Sequence, residues 1–202
     1  QPAMSWRDIP KFIAEKLKSS NRHDVTRPML ELLILTAARS GEIRGMLWAE
    51  LDLDAAIWTI PAERMKAKQA HRIPLSKRAV EILKDQIGIH KELVFPSPRD
   101  QVELSDMVLT TFLRREKAAS DTPNRVATAH GFRSSFRDWC SEQGYARDLA
   151  ERALAHSVAN KVEAAYHRTD LLDQRRPMMA AWSDFCTGRN EASGGVALSA
   201  DV

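Results

Sequence analysis

The sequence has little of what several protein classes require. Its two cysteines, Cys140 and Cys186, show no CxxC spacing, which leaves neither a disulfide framework nor a thiolate metal site. They read as buried thiols of a reducing cytoplasm. Eight glycines and nine prolines exclude a fibrous or wholly disordered chain. The longest apolar stretch, residues 29–38, is broken by Glu31 and falls short of the roughly 20 residues a bilayer-spanning helix takes, so no membrane association is expected. The first residues lack the charged region and cleavage site of a secretory leader. No HExxH or HxxxH pair occurs, and the carboxylates near His71, His130, His156 and His167 follow no ligand pattern, so a metal-dependent hydrolase is poorly supported. The excess of positive charge is slight, +3, which permits a polyanionic partner without demanding one.

What is present is an ordinary globular composition, 44% hydrophobic and 28% charged, in a chain long enough to bury a proper core. Many of the cations are arginine, whose planar fork matches phosphate. The chain starts at Gln1 rather than Met, and we expect a piece of something longer.

The residue pattern is mainly helical. Ser5 and the stripe Ile9, Phe12, Ile13 and Leu17 predict an N-capped first helix. Residues 28–38 are apolar almost all round and predict a buried central helix. After the break at Ser40-Gly41, a second helix is expected through residue 51. The period then changes: residues 56–61 and 71–75 are short and β-branched, and the polar segment between them carries Arg64, Lys66 and Lys68. This predicts a β-hairpin with a basic tip. A Ser76-capped helix, a short strand at 93–98, and helices at 104–119, 129–142, 148–155, 161–168 and 173–185 follow. The Gly/Ser-rich end, 188–202, reads as a flexible C-terminal tail behind one domain spanning 1–187. The fold class is α+β, mainly helical, with a small antiparallel sheet.

Several residues could carry chemistry. His130 and Arg133 share a helix face at i, i+3 and suit an anionic oxygen that gains charge, although HxxR alone is common. Arg39 ends a very apolar helix, where an unpartnered guanidinium costs several kcal/mol. Glu42 could hold it in a purely structural ion pair. Tyr166 is one of two tyrosines and stands beside His167 and Arg168, which favour its phenolate.

Read in order, these residues resemble the tyrosine recombinase (phage integrase) family. TAARSGEIRGMLWAEL is similar to its first arginine box and MKAKQAHRIPLS to its hairpin lysine and strand end. AHGFRSSFRDW is similar to its HxxR box, and LAHSVANKVEAAYHR to its late histidine and tyrosine box. The likeness runs from about residue 30 to residue 185 and favours the prophage-type branch. It implies the catalytic fold of that family and site-specific DNA cleavage and rejoining through a 3′-phosphotyrosyl intermediate. Carried over by position, Arg39 and Arg133 clamp the phosphate, Lys66 is the hairpin lysine, His130 and His156 are the active-site histidines, and Tyr166 is the nucleophile. The roles of the two histidines are interchangeable at this stage.

The same resemblance implies no cofactor and no metal, double-stranded DNA attachment sites as substrate, a homotetramer on DNA, accessory DNA-bending proteins, a bacterial or phage-encoded protein of the cytoplasm, and a preceding DNA-binding domain. Ala38 and Ala155 stand where many relatives have glycine, and Lys68 lies near Lys66 at the tip. A non-catalytic DNA-binding module would explain the basic balance but has no use for the tyrosine. A type IB topoisomerase would share the chemistry and relax supercoils without exchanging partners.

Overall fold

In a computed structural model of the chain, the structure describes residues 1–18, 21, 24–156 and 169–189. Tyr166, the helix expected at 161–168 and residues 190–202 of the expected tail lie outside them.

The core is built around α2 (Thr26–Thr36), the segment whose apolar residues leave no polar face; residues 29–36 are all buried. That includes Glu31, whose carboxylate is tied in two-pronged fashion to Arg78 (2.7 and 3.0 Å), so the buried charge is neutralised and α2 is stapled to α4 (Lys77–Gln86). Ser76 caps α4 as expected, its hydroxyl accepting from the Ala79 amide at 3.2 Å. Ser5 does not cap: its side chain makes no such bond. The first helical stretch instead passes from a 3-10 turn (Trp6–Asp8) through α1 (Ile9–Phe12) to a π turn (Ile13–Leu17), and still buries the apolar stripe.

The sheet has three antiparallel strands in the order β1-β2-β3. β2 (Ile57–Ile60) and β3 (His71–Pro74) form the expected hairpin, with Ile57 opposite Pro74 and Ile60 opposite His71. β1 (Leu51–Asp52) falls where the sequence suggested helix. The helix α3 (Ser40–Arg44) stops early, and Trp48–Glu50 is a 3-10 turn. The reason lies in Glu50, whose buried carboxylate accepts from Trp58 Nε1 at 2.9 Å and pairs with Arg64; a continuing helix could not deliver it there. Arg64 is therefore a half-buried strut rather than part of the basic tip. The strand expected at 93–98 survives only as single bridges, Leu47 to Leu93 and Pro96 to Glu103, because prolines cannot extend a ladder.

Beyond the sheet come α5 (Val108–Arg115), α6 (Gly131–Glu142), α7 (Arg147–Ala153) and α8 (Leu172–Thr187). The last closes the core: Met178, Met179 and Trp182 are buried, and Trp182 Nε1 donates to the Ile34 carbonyl at 2.8 Å. Trp182 also meets Phe136 and Trp139 of α6, with ring centroids 5.5 and 5.2 Å apart. Cys140 and Cys186 are free and buried. Among the described residues no helix is long and apolar enough to cross a membrane.

Candidate active site

Two helices end facing one another, and each ends on an alanine in the left-handed region. Ala37 (φ 51) terminates α2 and Ala155 (φ 48) follows α7. At α7 the backbone closes with two bonds, His156 N–H to the Glu151 carbonyl (3.0 Å) and Ala155 N–H to the Arg152 carbonyl (3.1 Å). This is the 6→1 and 5→2 pattern of a Schellman cap, whose left-handed position favours glycine. It explains why glycine is the resemblance's residue at 155; at the other end the left-handed residue is Ala37, one before the Ala38 singled out from the sequence.

Such ends leave carbonyls without helical partners. Two arginines use them. Arg133, on the first turn of α6, donates through Nη1 to the Ala37 carbonyl and through Nη2 to the Leu154 carbonyl. Arg39 donates to the same Leu154 carbonyl (3.5 Å) and to Ala155 (3.3 Å). The two guanidiniums thus meet on one oxygen. Glu42 steadies Arg39 by taking its Nη1 at 2.7 Å and its backbone amide at 2.8 Å, so the ion pair read from the sequence is present.

Arg133 is 4% exposed, its Nε has no hydrogen-bond partner among the described residues, and its pKa is lowered to about 10 by burial and by the neighbouring Arg39 charge. His130, at the N-cap of α6, is pushed below the ordinary histidine value by partial burial, then by Arg133, with Arg39 and His156 adding to it. His156 brings Nε2 to 3.2 Å from Arg133 Nη2. Arg39, Arg133 and His156 therefore gather around the Leu154 carbonyl, with His130 near enough for their charges to lower its pKa. Lys66 stands apart from it, exposed in the turn 65–68 between β2 and β3. Among the described residues no group of His, Cys, Asp or Glu is placed to hold a metal ion.

Sequence reasoning missed two parts of this site. The carbonyl acceptors carry no side-chain signature. Glu151, whose carboxylate lies 2.6 Å from His156 Nδ1, was not singled out from the sequence; its offset of five residues before His156 was the available signal.

His71, which the hydrolase alternative would have used as a ligand, faces inward on β3 and contacts the Ala153 carbonyl at 3.3 Å. Burial, with help from the Arg175 charge, lowers its pKa from 6.5 to about 4. The unfolded chain therefore binds the extra proton between those values, so the associated stability is present above pH 6.5 and is lost as pH falls towards 4. We expect the wild-type chain to lose about 2–3 kcal/mol more between pH 7 and 4.5 than His71→Gln. Urea unfolding at the two pH values measures it; parallel losses in both proteins would contradict the assignment.

The model of the phage integrase family matches residues 7–171. The integrase of Enterobacteria phage P4 is 37% identical over 201 residues, covering 91% of this chain and 45% of that integrase, so the chain spans about half the length of such relatives. Among solved structures, an integrase from mycobacterium phage Brujita superposes with a TM-score of 0.64 at 22% identity, over 92% of this chain and 57% of the other. A lambda integrase tetramer bound to a Holliday junction gives 0.57 at 22%, over 83% and 48%. The α+β architecture is that of tyrosine recombinase catalytic cores, and the chain belongs to the phage integrase family.

Proposed function

We propose that this chain is the catalytic domain of a site-specific tyrosine recombinase, residues 1–187 followed by a tail at 188–202, acting on double-stranded DNA attachment sites. The observation that carries the reading is the pair Arg39 and Arg133 on a single backbone carbonyl, a site pre-arranged for the charge that builds on a phosphodiester. Tyr166 forms the bond from its oxygen to phosphorus as the bond to the 5′ oxygen breaks. Lys66 supplies the proton to that leaving oxygen. One of His130 and His156 takes the tyrosine proton and the other donates to a non-bridging oxygen; the lowered pKa of His130 suits it to accept. A different 5′-hydroxyl reverses the step and completes strand exchange.

The family supports a tetramer on DNA, because a lambda integrase of the same fold is seen as a tetramer on a Holliday junction. Accessory DNA-bending proteins and a cytoplasmic location belong to the same proposal.

Covalent capture tests it. The chain, within its full-length protein, is incubated with a nicked suicide duplex bearing its attachment site, in EDTA, and run on a denaturing gel. A protein–DNA band that maps to the Tyr166 peptide and is missing from Tyr166→Phe is expected. No band from the full-length protein on its own site would sink the recombinase reading and favour a non-catalytic DNA-binding module. Relaxation of supercoils without exchange would favour a type IB topoisomerase.

A further inference from the structure

The histidine of the cleft is held from behind. The Schellman cap turns His156 back over the last turn of α7, so that its ring lies against Glu151 on the same helix. Glu151 Oε2 is 2.6 Å from Nδ1, while Nε2 faces Arg133 Nη2 at 3.2 Å. A guanidinium has donors only. Nε2 must therefore accept, and the ring proton must sit on Nδ1, where the carboxylate takes it. Glu151 also faces a cation of α6: Arg137 Nε lies 3.0 Å from its other oxygen as an ion pair without hydrogen-bond geometry, and the side chain is 19% exposed. Arg133 and Arg137, one turn apart on α6, thus bracket the His156–Glu151 pair from its two ends.

We propose that Glu151 is a positioning residue for strand cleavage, setting both the orientation and the tautomer of His156 so that Nε2 is the nitrogen offered to the phosphate cleft. The carboxylate–imidazole arrangement is the one by which enzymes commit a histidine to a single working nitrogen. When a phosphate oxygen draws the Arg133 N–H away, the Nε2 lone pair is released towards the cleft. Protonated at Nε2 by solvent, the imidazolium, still bonded to Glu151 through Nδ1–H, donates its Nε2–H to a non-bridging oxygen. No other group changes its bonding in this step.

The inference rests on the recombinase reading for its consequence but not for its test. The ring nitrogen shifts of His156, read by NMR in the wild-type chain without DNA, should report the proton on Nδ1. Glu151→Ala should lose that preference, and Glu151→Gln, which keeps an acceptor oxygen, should retain it. In single-turnover cleavage of the suicide duplex, Glu151→Ala should be slowed by about 10- to 100-fold with DNA affinity unchanged. Glu151→Gln should recover most of the rate. In a His156→Gln background, Glu151→Ala should add less than about a threefold loss, because the effect runs through the ring. An unchanged tautomer in Glu151→Ala, or an equal loss of rate in the His156→Gln background, would overturn the proposal. Should the tautomer respond while the wild type never cleaves, the dyad stands and the recombinase reading falls.

Discussion

Arg133→Lys should cut strand cleavage by about 100- to 1000-fold while the protein still folds, the scale expected when one pre-arranged donor to a developing oxyanion is removed. The structure says why so conservative a change should matter. Arg133 reaches the Ala37 carbonyl with one amino group and the Leu154 carbonyl and His156 with the other, all from a side chain 4% exposed. An ammonium is a point charge with no fork, so it cannot hold both carbonyls and still present N–H groups in a plane to phosphate. One buried carbonyl then loses its partner, at about 1–3 kcal/mol, which bounds the stability loss. Single-turnover cleavage of the suicide duplex beside a thermal melt separates the two effects. A rate within about threefold of wild type would mean that the clamp is not where we place it.

The second large effect is steric. Gly131→Ala, at the first position of α6, would put a Cβ 2.1 Å from the Pro2 carbonyl oxygen and 2.9 Å from Ala3 Cα. Both neighbours are backbone, so no rotamer change relieves them. That backbone is itself pinned: the Pro2 carbonyl accepts from the Thr128 amide (3.0 Å) and hydroxyl (3.2 Å), and the Ala3 amide donates to Asp121 at 3.0 Å. Overpacking of this kind costs about 1–3 kcal/mol, and the rigid surroundings place this site at the upper end. At about 2–4 °C per kcal/mol for a chain of this size, the melting temperature should fall by roughly 6–12 °C. Because His130 is the adjacent residue, cleavage should fall as well. A melt unchanged to within about a degree would show that residues 2–4 do not hold this path in solution.

The fold was legible where a single pattern dominates a segment. The apolar run of residues 29–36, interrupted only by Glu31, and the β-branched pair of strands each had one way to be satisfied. It was illegible where a buried charge decides the backbone: Glu50 turns the chain into β1, and Arg64 leaves the hairpin tip to meet it. The candidate site shows the same division. Arg39, Arg133, His130 and His156 could be named in advance because they fall in the segments that resemble the integrase boxes. The convergence on Leu154 could not, since a carbonyl has no letter in the sequence, and neither could the need for glycine at 131, which depends on the backbone of Pro2 and Ala3, far away along the chain.

The main-chain origin of the arginine anchors has one more implication. Oxygens belonging to residues 37, 154 and 155 persist whatever side chains those positions carry, so no point substitution there can delete an acceptor. Only a change that moves the helix ends can. Relatives are therefore free to vary the lettering around the clamp while inheriting its geometry, and loss of the clamp should arise from insertions, deletions or prolines near residues 37 and 155 rather than from drift at the contact positions themselves.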